Sequence, residues 1–198
     1  MRKYVQHLLT VSVALLALQF AIPAFAQQTT LELDPARTAV HFTLRTSLHT
    51  VHGTFRLKGG KVSFDPLTGK ASGLLAVDAA SGESGNRGRD AKMHKEVLES
   101  HIYPEITFVP LEVKGGIEMQ GDSQVQVTGT FSLHGQDHEV VIPVAVRISG
   151  PDLTLDANFS VPYISWGLKN PSTFIFRASD TVQLSVHSTG QWTRDVTN

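Results

Sequence analysis

Cysteine does not occur in this 198-residue chain. Disulfides are therefore excluded, although an oxidising compartment would permit them. A lipid anchor on an N-terminal cysteine is excluded with them. Charge of one sign is also scarce: 17 Lys and Arg stand against 18 Asp and Glu. That balance lacks the basic excess that nucleic acid favours, and it shows no polybasic grip on anionic lipid. Apolar runs long enough to span a membrane are missing beyond the N-terminus, since a span needs ~20 residues. Catalytic motifs are missing too. There is no G-x-S-x-G elbow, no H-E-x-x-H helix and no Gly-rich phosphate loop, so no residue is assigned a catalytic role and no cofactor is expected.

What is present begins with an export signature. Arg2 and Lys3 precede an apolar stretch from Leu8 to Ile22, and Pro23-Ala24-Phe25-Ala26 supplies an A-x-A pattern. This is the layout of a cleaved signal peptide over residues 1–26, with the product in the periplasm or outside the cell. Removing 26 of 198 residues leaves 172, enough for one domain over 27–198 with a sizeable interior. The segment removed carries two of the 17 basic residues and no acid, which leaves 15 against 18 and a net charge of −3.

The remaining chain has a period of two. Val40, Phe42 and Leu44 alternate with polar neighbours, as do Val51, Gly53, Phe55 and Leu57. Val125, Val127, Gly129, Phe131 and Leu133 give the cleanest run; Val140 to Ile148, Leu153 to Phe159 and Val182 to Val186 repeat it. Such alternation marks half-buried antiparallel strands and predicts an all-β fold. Turns are expected at Lys58-Gly59-Gly60-Lys61, Asp65-Pro66-Leu67-Thr68-Gly69, Gly115-Gly116, Gly121-Asp122, Gly135-Gln136-Asp137 and Gly150-Pro151-Asp152. Asp34, before Pro35, reads as a turn former like Asp65. One stretch departs from the pattern. Asp90 stands as a helix N-cap, Met93, Val97 and Leu98 follow at helical spacing, and Tyr103-Pro104 stops the helix, which predicts one short helix near 90–99.

In order along the chain, several fragments carry a likeness. They are Asp34 through Phe42, Val51-His52-Gly53-Thr54-Phe55, Arg89-Asp90 with Met93 and Leu98, Tyr103-Pro104-Glu105-Ile106-Thr107-Phe108, and Gly129-Thr130-Phe131-Ser132-Leu133-His134-Gly135. Together they resemble the YceI-like family of lipid- and polyisoprenoid-binding proteins over about residues 31–190. The resemblance implies an extended, lipocalin-like antiparallel β-barrel of about eight strands holding a long isoprenoid chain. The chain departs from it at Leu98-Glu99-Ser100-His101, where many members read D-F-F-D.

The apolar faces admit two readings, a packed core or a lumen that holds a ligand. Small residues on those faces (Gly53, Gly73, Ala79, Gly129 and Ala157) would leave space, and the resemblance favours the lumen. Its expected wall is Phe42, Leu44, Phe55, Val77, Phe108, Val127, Gly129, Phe131, Val144, Ala157, Phe159 and Leu184. The expected partner is an apolar lipid with a polyisoprenoid or fatty-acyl-like chain, of isoprenoid-quinone or polyprenyl type by the resemblance. Arg89 either bonds nearby carbonyls while Asp90 caps the helix, or stands at the barrel mouth facing a polar head group. His49-x-x-His52 and His134-x-x-x-His138 are spaced like ligand pairs, but no third partner stands at fixed spacing, so they read as solvated turn histidines and no metal is assigned. Trp166, in a long loop, is either a lid over the lumen or an anchor for the loop. The alternatives to a carrier are an enzyme acting on such a lipid and a metal-buffering or stress protein with a filled barrel.

Overall fold

The computed structural model describes residues 28–118 and 120–195. The expected signal peptide lies outside the described residues. Among them, eight strands form a closed barrel in which each strand is antiparallel to the next and β8 returns to β1. They are β1 (Gln28–Arg45), β2 (Thr50–Phe64), β3 (Ala71–Glu83), β4 (Glu105–Lys114), β5 (Gly121–Leu133), β6 (Gln136–Ser149), β7 (Asp152–Val161) and β8 (Val182–Asp195). Closure leaves no free sheet edge. A single short helix, α1 (Arg87–Lys92), continues through a π-helical turn at Met93–Val97.

This meander gives the barrel two unlike ends. Residues 65–70, residues 115–118 with 120, and Gly150-Pro151 lie at one end. The other end carries residues 46–49, the segment containing α1, the His134-Gly135 hairpin and the long segment 162–181. The turn chemistry at Asp65 is as read: its carboxylate accepts from the Leu67 N–H (2.8 Å) and the Thr68 hydroxyl (2.8 Å). His134 and Gly135, both at positive φ (54° and 72°), make a two-residue hairpin whose twist matches its strands.

Four local expectations are corrected. Lys58-Gly59-Gly60-Lys61 is no hairpin, because β2 runs through it. The register against β3 slips between Leu57 and Gly59, so the glycines bend a long strand, and Leu75 packs where a side chain on Gly60 would stand. Asp34 likewise reverses nothing. It builds a bulge inside β1, its carboxylate accepting from the Ala36 N–H (2.8 Å), while the register moves from Leu33 opposite Gly60 to Val40 opposite Phe55. The helix starts before Asp90, and its cap is Asn86, whose side chain accepts from the Arg89 N–H (3.0 Å). It also ends at Val97, well before Tyr103-Pro104, and Glu99 then takes a left-handed backbone (φ 45°).

The interior holds two apolar clusters. One, around Leu33, Leu57, Val125, Ile148 and Leu153, fills the end with the short turns. The other, around Phe131, Leu133, Val161, Tyr163 and Leu168, lies under the long loops. Many inward side chains between them, Val127, Val144, Ala157 and Phe159 included, are only half-buried, because they border open space.

Candidate functional site: the barrel lumen

That space is a cavity of about 600 Å³, within the range of small-molecule sites. All eight strands contribute to its wall, since alternate residues of each strand point inward. Eleven of the twelve expected wall residues line it; Gly129 does not. A Cβ on Gly129 would lie 2.6 Å from Phe108 Cζ and 2.5 Å from the Val109 carbonyl oxygen. The Phe108 ring, which does line the cavity, lies over the glycine and takes its place. Gly53 is covered in the same way by Phe42 (2.3 Å to Cε1). Gly53, Gly73 and Ala79 are also absent from the wall, so of the five small residues only Ala157 borders the lumen. The glycines allow rings and backbone to approach closely and do not create the space.

The charged side chains of the wall are confined to one region, while Thr38, paired with Ser188 (2.7 Å), and Thr107 border the cavity elsewhere. Ser84, Gly88, Arg89 and Lys92 border the cavity on one side of its mouth; Pro171, Thr173 and Phe176 border it on the other. Lys92 Nζ donates to the Pro171 carbonyl across the gap (3.2 Å). Both readings of Arg89 meet here. Its Nε donates to the Ser84 hydroxyl (2.7 Å) and one Nη to the Ser84 carbonyl (2.8 Å), yet the side chain also borders the lumen. Asp90 does not cap the helix. It accepts from the Ser84 N–H (2.9 Å) and hydroxyl, which ties α1 to the end of β3.

Among the described residues, Arg89 and Lys92 are the only charged ones on the wall, and no carboxylate or imidazole borders it. Tyr163 is the remaining titratable group. Its hydroxyl donates to the Ser179 carbonyl (2.8 Å). Burial, and then the negative charge of Asp180, push its pKa up to about 12. It stays protonated at neutral pH and offers no base.

Trp166 is an anchor. It stacks flat on His138, with centroids 3.9 Å apart and planes 4° apart, and meets Phe131 at 5.8 Å without lining the cavity. The turn it pins delivers Tyr163 and Leu168 to the wall. His134 and His138 are therefore not solvated turn residues. His134 bonds Glu99 Oε2 (2.6 Å) and packs on Tyr103, and His138 is covered by the tryptophan. Among the described residues, no group of three or more His, Asp or Glu is gathered as a metal site would require. At the departure from D-F-F-D, Leu98 lines the cavity, Glu99 binds His134 and Ser100 is buried beside His94 (3.2 Å). Sequence reading also missed further strand residues of the wall, such as Leu33, Val51, Leu57 and Val146, together with Lys92 and the far side of the mouth. Lys92 lies one helical turn from Arg89, which was a usable signal; Pro171, Thr173 and Phe176 sit in a stretch without periodicity.

Comparison with known proteins agrees with this architecture. The UPF0312 protein of Pseudomonas savastanoi pv. phaseolicola (strain 1448A / Race 6) is 33% identical over 104 residues, 52% of each chain. The chain thus spans about half the length of the first curated relatives it matches. The UPF0312 protein of Pseudomonas putida (strain KT2440 among others) is 28% identical over 149 residues, covering 71% of this chain and 73% of its own. Among solved structures, Burkholderia cenocepacia BcnA superposes with a TM-score of 0.65 at 22% identity, over 79% of this chain and 98% of its own. A polyisoprenoid binding domain from Saccharophagus degradans, implicated in plant cell wall breakdown, superposes with a TM-score of 0.60 at 17% identity, over 81% and 97%. These two likenesses establish the shared fold. The sequence profile of the YceI-like domain matches residues 31–189, the greater part of the chain. This protein belongs to the YceI-like family.

Proposed function

We propose that the protein is exported and carries one apolar lipid, of polyprenyl or isoprenoid-quinone type, without transforming it. The observation that carries this reading is the lumen itself: about 600 Å³, walled from all eight strands by apolar side chains and free of carboxylate and imidazole. Burial alone supplies the affinity. Each CH₂ taken from water gains ~0.8 kcal/mol, so a few isoprene units outweigh the cost of association. The described relative from S. degradans, a polyisoprenoid binding domain of the same fold, supports the same ligand class. Arg89 and Lys92 then meet whatever polar end the lipid presents at the mouth. Export is supported by Arg2, Lys3, the apolar run and Ala24-Phe25-Ala26; an exported carrier would work in the periplasm or outside the cell.

The test is a displacement titration. Protein stripped of lipid by organic extraction and refolded is titrated with a fluorescent polyene fatty acid, then with a polyprenyl alcohol. Saturable uptake of one probe per chain, displaced by the polyprenyl alcohol at about micromolar concentration, is expected. Uptake that never saturates, or that the alcohol leaves unchanged, contradicts the carrier.

A further inference from the structure

The rim around the mouth carries apolar side chains that face away from the cavity. Phe174 is 96% exposed and Ile175 78%, while Thr173 and Phe176, their neighbours on either side, line the lumen. Leu48, 67% exposed, stands on the β1–β2 loop. That loop is laced to the same segment. The Ser47 N–H donates to the Arg177 carbonyl (2.8 Å), the Arg177 N–H donates to the Ser47 hydroxyl (3.1 Å), and Thr46 bridges to Ala178. Exposed apolar residues scattered singly are ordinary. Three large ones on two bonded loops, beside the entrance to an apolar cavity, form a patch that marks a contact surface.

The charges around the patch indicate what it contacts. Arg45 and Arg177 are exposed next to it, and Arg87, Arg89 and Lys92 stand across the mouth. None of these five forms an ion pair among the described residues. Of the acids at this end, Glu96 is held by Lys169 (2.7 Å) and Glu99 by His134 (2.6 Å), Asp90 accepts from the Ser84 N–H (2.9 Å) and Asp180 from Asn170 (3.2 Å), while Glu83 closes β3. The cations come from β1, α1 and the 171–177 segment, so no basic run in the sequence announces them. Projecting aromatic and aliphatic tips with arginine and lysine around them match a bilayer bearing anionic head groups: the tips enter the acyl boundary and the cations meet phosphates. The mouth opens at the same rim, so a lipid passing from bilayer to lumen would not cross water.

We propose that this rim docks on an anionic bilayer through Leu48, Phe174 and Ile175, with the lumen opening toward the membrane. The proposal rests on the carrier reading and adds the surface from which the lipid is taken or to which it is delivered. It is tested by flotation of the intact protein with vesicles of phosphatidylglycerol and phosphatidylethanolamine, against vesicles of phosphatidylcholine alone. Flotation with the anionic vesicles, weakened by salt, is expected. The combined substitution Leu48→Ser, Phe174→Ser and Ile175→Ser should weaken it by about tenfold or more and leave the melting temperature and the binding of polyprenyl alcohol in the displacement titration unchanged. Arg45→Glu with Arg177→Glu should abolish the preference for anionic vesicles. The proposal is overturned if the parent ignores anionic vesicles at low salt or if the triple variant floats like the parent. It is overturned equally if sedimentation shows a dimer that the triple variant loses, since the patch then belongs to a second copy. A protein that yields lipid on extraction yet ignores vesicles sinks the docking alone; one that does neither sinks the carrier as well.

Discussion

Ala157→Phe is expected to lose the lipid and keep the barrel. Ala157 faces the lumen from β7, opposite Val144 of β6 and Val186 of β8, and all three line the cavity. Its side chain is half-buried because the space before it is open. A phenylalanine there has room to extend, so the overpacking cost of ~1–3 kcal/mol that a filled core would exact is largely avoided. The ring would occupy the volume in which a chain must lie. Co-purified lipid should fall to near zero while the melting temperature moves by only a few degrees. A variant that unfolds readily, from a parent that extracts free of lipid, would mean that the interior is a packed core. Gly129→Phe is no substitute for this test, since Phe108 already covers Gly129 and the Val109 carbonyl stands 2.5 Å from any Cβ.

Gly190→Val is expected to do the opposite. Gly190 lies on β8 in the seam that closes the barrel, opposite Leu33 of β1 and Leu153 of β7. A Cβ there would come 2.1 Å from the Glu32 carbonyl oxygen, 3.0 Å from the Glu32 carbonyl carbon and 3.1 Å from Leu33 Cα. All three are backbone atoms at the start of the β1 bulge, so no side-chain rotation relieves the contact. Strand propensity alone favours valine over glycine, which makes the two arguments opposite in sign. The steric one should win, at ~3 kcal/mol or more. For a domain of this size that lowers the melting temperature by about 10 °C. A variant as stable as the parent, or more so, would show that the β1–β8 seam is looser than described.

These two sites also show what the sequence made legible. Alternation along β5, from Val125 to Leu133, suffices to assign a strand and its inward face. The wall residues follow, because a period of two allows only two sides. Alternation does not say whether an inward face meets another sheet or empty space; the family likeness supplied that step. Glycine is ambiguous in a strand sequence. Gly59-Gly60 permits both a hairpin and a bend, and the choice depends on Leu75, which packs against it from another strand. Gly129, in sequence, reads as space on an inward face, whereas it is the seat of the Phe108 ring. The helix cap shows a competition among near neighbours. Asn86 and Asp90 are both good caps, but the Asp90 carboxylate is drawn to Ser84 and only Asn86 is left for the helix amides. The far half of the mouth was invisible because Pro171 to Phe176 has no period to read, and Lys92 meets it from 79 positions away in the chain.

The central claim is that one apolar lipid occupies the lumen and leaves it unaltered. Native mass spectrometry of the protein purified from the cells that make it tests this directly. The account predicts a chain without its first 26 residues, carrying a single small apolar molecule that collision releases and organic extraction recovers intact. A bare chain with nothing to extract would contradict it, and so would a retained N-terminus or a lipid recovered as two cleaved fragments.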